Sequence, residues 1–157
     1  MPQDGYTTQI VQVGRLQEPL QAAMARLYLQ HYDGSCEALF RADLHAKDEV
    51  ILLYHNAALV GFTSLLVYGA QWQGQAVRVV YSGDTIVARA HWGQQALAPA
   101  FITRLAHIRQ AAPDQPLYWF LLVKGHRTYK YLAVFAERFY PHWAQQHPSL
   151  QAFADQL

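Results

Sequence analysis

The chain has 157 residues, of which 52% are apolar and 15% charged, with a formal net charge of +1. Such a chain is long enough for one domain with a real core, and its composition excludes a disordered polymer. The near-neutral charge gives no global reason to expect nucleic acid or an anionic membrane as partner, and no apolar run is long enough to span a bilayer.

Residues 7–13 alternate around Ile10 and Val11 and predict a first strand, β1, which Gly14 ends. Apolar residues at 16, 20, 23, 24, 27 and 28 predict a helix α1 over 16–32, with Pro19 confined to its first turn. Asp33-Gly34-Ser35 is a turn signal, and Ser35 is placed to cap a helix α2 whose apolar side is Ala38, Leu39, Ala42 and Leu44. Residues 49–54 predict β2, His55-Asn56-Ala57 a tight connection, and 58–68 the returning strand β3 of a hairpin. After a second turn at 71–75, residues 76–88 predict a long strand β4, in which Gly83 signals a bulge or a close backbone approach. Helix α3 is expected over 97–110. The continuous apolar run 117–123 is expected to be a strand β5 buried on both faces, and 128–139 a helix α4 stopped by Pro141. The tail is expected to be partly helical. The order β1-α1-α2-β2-β3-β4-α3-β5-α4 makes an α+β domain, a mixed and mostly antiparallel sheet with flanking helices and one β-α-β crossover.

The stretch 77–109 carries the chemistry. It reads strand, break at Ser82-Gly83-Asp84, apolar run, polar loop 89–95, then helix. Pro99 has no N–H and must lie in the first turn of α3, which puts the helix start near Ala96. The first turn of a helix offers free amides and a partial positive charge to an anion. No Ser, Thr, Asp or Asn stands at the cap, so the amides of about 93–98 are expected to be available, with Gly93 allowing close approach or positive φ. An ordinary strand-to-helix connection fits the same residues. Lys124, His126, Arg127 and Lys130 cluster between β5 and α4, on the edge of the sheet where open α/β sheets bind ligands. Cations at a helix N-terminus oppose the macrodipole, and an anionic ligand would relieve that; a solvated basic helix start is the plainer reading. Asp84 is a carboxylate in an apolar strand, which costs free energy unless it is paired or faces a cleft; it fits either a cleft or a role bonding nearby amides at the bulge.

The remaining reactive residue types form no constellation. Cys36 has no disulfide partner in the chain and is expected to be a small buried or half-buried apolar residue. The eight histidines show neither HxxxH nor HExxH spacing, so no metal site is expected. Ser64, Ser82 and Cys36 lack the context of a nucleophile elbow. The N-terminus MPQDGYTTQ has no apolar signal region, and a cytoplasmic setting is expected.

The element order, with a long β4 feeding a glycine-bearing loop and α3, resembles the GNAT superfamily of acyl-CoA N-acyltransferases over residues 5–140. In that family the loop pattern is Gln/Arg-x-x-Gly-x-Gly/Ala, and its amides bind the pyrophosphate. Here Gly93 falls on the first glycine, Ala90 on the Gln/Arg position and Gln95 on the Gly/Ala position, with Arg89 and Ala96 each one residue away. The resemblance implies acetyl-CoA or another acyl-CoA as co-substrate and no metal. It implies cofactor contacts from Ile86, Val87, Ala88, Arg89, Trp92, Gly93, Gln94, Gln95, Ala96 and Arg127, the first three offering a backbone N–H to the acyl carbonyl. It implies a base on or near β4, for which Asp84 is the first choice and Glu49 the second. The family's general acid is a tyrosine on α4 shortly before an aromatic pair. If that pair is Phe139-Tyr140, the positions before it are Phe135 and Ala136, and the hydroxyl candidates move back to Tyr129 and Tyr131, Tyr129 being the one taken forward. Tyr28, Tyr32, Phe40, Tyr68 and Trp72 are candidates to shape an acceptor pocket. The family also adds two strands after α4, which residues 142–157 do not resemble; the single domain is then trimmed, completed by a partner, or part of a longer protein. Two readings follow: an N-acyltransferase, most simply an acetyltransferase, acting on a small-molecule or peptide amine, or a non-catalytic module of the same fold. Dimerisation through the β5 edge suits either.

Overall fold

The computed structural model describes residues 5–122 and 126–157, and the side chains of all of these but 126–128. The elements are β1 (Tyr6–Gln12), α1 (Glu18–Leu29), α2 (Glu37–His45), β2 (Glu49–His55), β3 (Ala58–Trp72), β4 (Gln75–Val87), α3 (Leu97–Ala111), β5 (Leu117–Leu121), α4 (His126–Phe135) and α5 (Pro148–Gln156). The strands lie in the order β1-β2-β3-β4-β5 in one sheet. The first four run antiparallel, and β5 joins β4 parallel through the α3 crossover. Both hairpins close on two residues in the left-handed region, Asn56 and Ala57 in one and Gln73 and Gly74 in the other. A two-residue turn of that kind matches the twist of the strands it joins.

The sheet is covered on both faces. Val50, Leu52, Phe62 and Ile86 pack against Met24, Leu27, Phe40 and Leu44 of α1 and α2. Ile51, Leu53, Leu65 and Val80 pack on the other face against Leu97, Phe101 and Ile108 of α3. Val80 and Ile86 are both even-numbered yet face opposite ways. The reason is a bulge: between the pairs Thr63–Thr85 and Leu65–Ser82, β4 advances one residue more than β3. That extra residue, in the Gly83-Asp84 region, inverts the alternation of the strand.

Several expectations at the ends of elements change. Helix α1 is shorter than 16–32, with Pro19 in its first turn as required. The N-cap of α2 is Cys36, which makes no side-chain cap bond and is exposed, so neither the capping role of Ser35 nor the burial of Cys36 holds. Ser35 instead donates to the Tyr28 hydroxyl at 3.3 Å. Helix α4 begins at His126 and ends at Phe135, before Pro141 can stop it. The tail forms α5, whose Phe153 packs on Val77 and Val79 between Trp72 and Tyr118. Among the described residues β5 pairs with β4 alone, and no helix is long and apolar enough to cross a membrane.

Candidate functional site

The site forms where β4 and β5 part. Among the described residues they pair from Arg78–Leu117 to Ser82–Leu121, and β4 runs on to Val87. On its other side β4 stays paired with β3 as far as Gly61–Val87. Ala88 donates its N–H to the Val60 carbonyl at 2.8 Å. Antiparallel alternation then turns Ile86 toward β3 as well and turns Val87 toward the β5 side. Of the three amides expected to face an acyl carbonyl, Ile86 and Ala88 are therefore directed to β3, and Val87 alone is directed to the cleft. The Val87 carbonyl accepts the Trp92 indole N–H at 2.8 Å.

A pocket of about 40 Å³ lies in this cleft on the α3 face. It is lined by Leu97 and Ala98 in the first turn of α3, by Tyr131 and Phe135 of α4, and by Thr63, Ser82, Thr85, Phe101 and Trp119. The wall is cross-linked. The Thr63 and Thr85 hydroxyls are 2.8 Å apart, and the Trp119 indole donates to Ser82 Oγ at 2.9 Å. The Trp119 ring also lies 5.0 Å from that of Phe101.

On the opposite face, at the bulge, Asp84 is half-buried near Tyr32, which follows α1, and Tyr81 of β4. Burial first, and then the Asp84 carboxylate, push the Tyr32 hydroxyl above its ordinary pKa. The Tyr81 hydroxyl is raised by burial, then by Asp43 and Asp84. The Lys47 side chain is only 4% exposed, and its ammonium bonds the Asp43 carboxylate at 2.8 Å. That ammonium also lies 5.5 Å over the Tyr81 ring. Gly83 is where this packing is tightest. A methyl group there would meet the Ser64 hydroxyl and lie 2.8 Å from Lys47 Cε, which explains glycine at the bulge. The Ser64 hydroxyl is buried and makes no hydrogen bond among the described residues. Tyr28 stacks on Tyr32 at 4.7 Å and reaches Phe40 at 4.9 Å, so these three candidate pocket aromatics stand together. Trp72 does not join them, because Phe153 of α5 covers it.

The loop between β4 and α3 departs from expectation at its key point. Arg89–His91 form a single 3-10 turn, and the Arg89 guanidinium lies 5.8 Å over the half-exposed Trp92 ring. His91 accepts or donates a 2.7 Å bond with the Tyr6 hydroxyl. Gly93 has neither a positive φ nor any atom near its missing Cβ, so the fold itself does not require glycine there. The amides at the start of α3 are not vacant: Gln94 Oε1 accepts from Ala96 N at 2.7 Å and from Leu97 N at 3.0 Å. The expectation of an uncapped helix overlooked a glutamine, whose longer side chain reaches back over the first turn from two residues outside it.

Solved structures share this fold. The ribosomal-protein-alanine N-acetyltransferase from Brucella melitensis biovar Abortus 2308 superposes with a TM-score of 0.59, at 17% identity over 90% of this chain and 96% of that one. A Trypanosoma brucei acetyltransferase gives 0.57 at 18% identity over 90% and 97% of the two chains. Glucosamine-6-phosphate N-acetyltransferase from Arabidopsis thaliana gives 0.57 at 10% identity over 89% and 98%. The chain has the GNAT acyltransferase fold. No family model matches its sequence, and no curated protein matches it either.

The remaining candidates can now be located on the GNAT fold. Glu49 is 6% exposed, and both of its oxygens are taken by Arg104 of α3, at 2.5 and 2.9 Å. It ties β2 to α3 and is not free to serve as a base. Tyr129 donates its hydroxyl to the Pro141 carbonyl at 2.6 Å, whereas Tyr131 lines the pocket. Lys124 and the side chains of His126 and Arg127 lie outside the described residues, and Lys130 is exposed on α4. Sequence reading missed Ser82 and Trp119 as a joined pair in the lining of the pocket; the available signal was a serine beside the Gly83 break in β4 and a tryptophan at the centre of the aromatic-rich β5.

Proposed function

We propose that the protein is an acyl-CoA-dependent N-acyltransferase. The observation that carries this reading is the cleft where, among the described residues, β4 runs on past its last pair with β5, Ser82–Leu121, with a pocket lined in part by the first turn of α3. The pyrophosphate of the donor sits on the amides of 93–98 after displacing Gln94, with Arg89, Trp92, Gln95 and Arg127 as its further neighbours. Its pantetheine arm lies along the open edge of β4 and takes a hydrogen bond from the Val87 N–H. The amine acceptor comes from the α1–α2 side, bounded by Tyr28, Tyr32 and Phe40. Asp84 takes a proton from the acceptor nitrogen, directly or through one water. That nitrogen then attacks the thioester carbon. The C–N bond forms, the C–S bond breaks, and the leaving thiolate collects a proton. Tyr131 lines the cleft and is the better-placed donor of that proton; Tyr129 becomes one only if its hydroxyl leaves Pro141.

Thermal unfolding with CoA and acetyl-CoA tests the binding step. A ligand present at about 100 times its Kd adds about 2.7 kcal/mol of stability. No shift with either at millimolar concentration removes the acyltransferase reading. Given binding, Asp84→Asn is expected to abolish transfer to a panel of amines while leaving the shift in place. The engagement of Tyr129 with Pro141 favours a second reading, a GNAT-fold module that binds acyl-CoA without turning it over. Binding with no CoA release from acetyl-CoA, whatever the amine, selects that one.

A further inference from the structure

We infer that Trp119 sets the length of the acyl chain the cleft accepts and restricts the donor to the shortest acyl groups. The inference rests on the acyl-CoA reading. It starts from where the pocket ends. Leu97 and Ala98, which line it, belong to the turn of α3 on which a pyrophosphate would rest, and the cleft narrows where β4 and β5 pair, at Ser82–Leu121, with the Trp119 indole on Ser82. From Val87 to Ser82 the strand covers five residues, about 16 Å at the usual rise. A donor anchored at α3 and extended along β4 therefore brings its thioester to the Ser82–Trp119 wall.

That wall is rigid. The Trp119 indole is fixed at its polar end by Ser82 Oγ, 2.9 Å away, and at its apolar face by Phe101, 5.0 Å between ring centres. The parallel pair Val80–Trp119 fixes its backbone two residues before the last pair, Ser82–Leu121. The space it leaves is about 40 Å³. So small a space beside a pinned indole favours a short acyl group over a long one. A longer chain must break the indole–Ser82 bond and push the ring from Phe101. A fitted apolar pocket discriminates by roughly 10- to 200-fold per misfit methylene.

The test is calorimetric titration of the full chain with CoA, acetyl-, propionyl-, butyryl- and hexanoyl-CoA, repeated on Trp119→Leu, Trp119→Ala and Ser82→Ala. Cooperative thermal unfolding of each variant is recorded alongside. The wild-type protein is expected to bind hexanoyl-CoA at least about tenfold more weakly than acetyl-CoA. In Trp119→Leu and Trp119→Ala that ratio is expected to close to within about threefold, with Ser82→Ala intermediate because its indole is unpinned but present. Should the tryptophan variants fail to fold, the Ser82→Ala ratio decides. A flat series in the wild type, or an unchanged ratio in folded variants, overturns the role of Trp119. A wild-type protein that binds no CoA at all overturns the acyl-CoA reading itself.

Discussion

Removing the side chain of Gln94 separates a structural cap from a ligand site. In the unliganded protein Gln94 Oε1 takes two amides of the first turn of α3, at 2.7 and 3.0 Å. Loss of a side-chain cap costs about 1 kcal/mol, within a range of about 0.5–2. Gln94→Ala is therefore expected to lower the melting temperature of the free protein by roughly 2–4 °C for a domain of this size. If a pyrophosphate uses those same amides, the wild-type protein must give up the Gln94 bonds in order to bind, and the variant has nothing to give up. The two proteins then have equal stability when saturated with CoA. By the thermodynamic cycle, the variant binds CoA about fivefold more tightly, the equivalent of 1 kcal/mol. The assay is urea or thermal unfolding of both proteins with and without CoA, with titration of each. A stability gap that persists unchanged at saturation refutes the reasoning, because the ligand then does not reach those amides. A gap that widens refutes it in the opposite direction, with Gln94 itself contacting the ligand.

Three more expectations concern the groups around the cleft. Arg104→Ala strands the buried Glu49 carboxylate and is expected to cost about 3 kcal/mol in urea unfolding, toward the low end of such losses because the Arg104 side chain is 31% exposed; the apolar double replacement Glu49→Leu with Arg104→Met is expected to restore most of it, and equal loss in the double variant counts against a desolvation origin. The two glycines of the site should behave oppositely. Gly83→Ala meets Ser64 and Lys47 and is expected to cost about 1–3 kcal/mol, partly recovered by adding Ser64→Ala, whereas Gly93→Ala meets nothing and is expected to leave stability within about 0.5 kcal/mol while weakening CoA binding through a methyl group set against the phosphates. Similar stability losses at both positions would contradict this account. The third expectation concerns pH. Because the folded Tyr32 pKa lies above its ordinary value of about 10, its contribution to stability is whole below that pH and is lost as pH rises through the folded value. Asp84→Asn removes the carboxylate's share and leaves burial, so an ultraviolet phenolate titration, read against Tyr32→Phe, should show Tyr32 ionising at lower pH in the variant; no movement would mean that Asp84 does not face Tyr32.

Much of this architecture follows from the order of residues alone. Period-two alternation, the turn residues and the apolar stripe of α3 have a fixed geometric meaning, so the order of elements along the chain, both hairpins and a bulge or close approach at Gly83 were readable without coordinates, whereas the place of β1 in the sheet was not. The resemblance of that order to the GNAT fold followed too. The state of the site depended on tertiary structure, because each deciding contact joins residues far apart in the chain or reaches across a helix end. Trp119 meets Ser82 only after β5 docks beside β4; Glu49 meets Arg104 only after α3 crosses the sheet; Tyr129 meets Pro141 only through the path taken after α4. Gln94 is close in sequence to the amides it bonds, but its role depends on the direction in which the 3-10 turn at Arg89–His91 delivers the chain. Periodicity records which face of an element is apolar and is silent about which polar group on one element meets which on another. Elements are therefore legible in the sequence, whereas the partners of Asp84, Gln94 and Trp119 belong to the folded molecule.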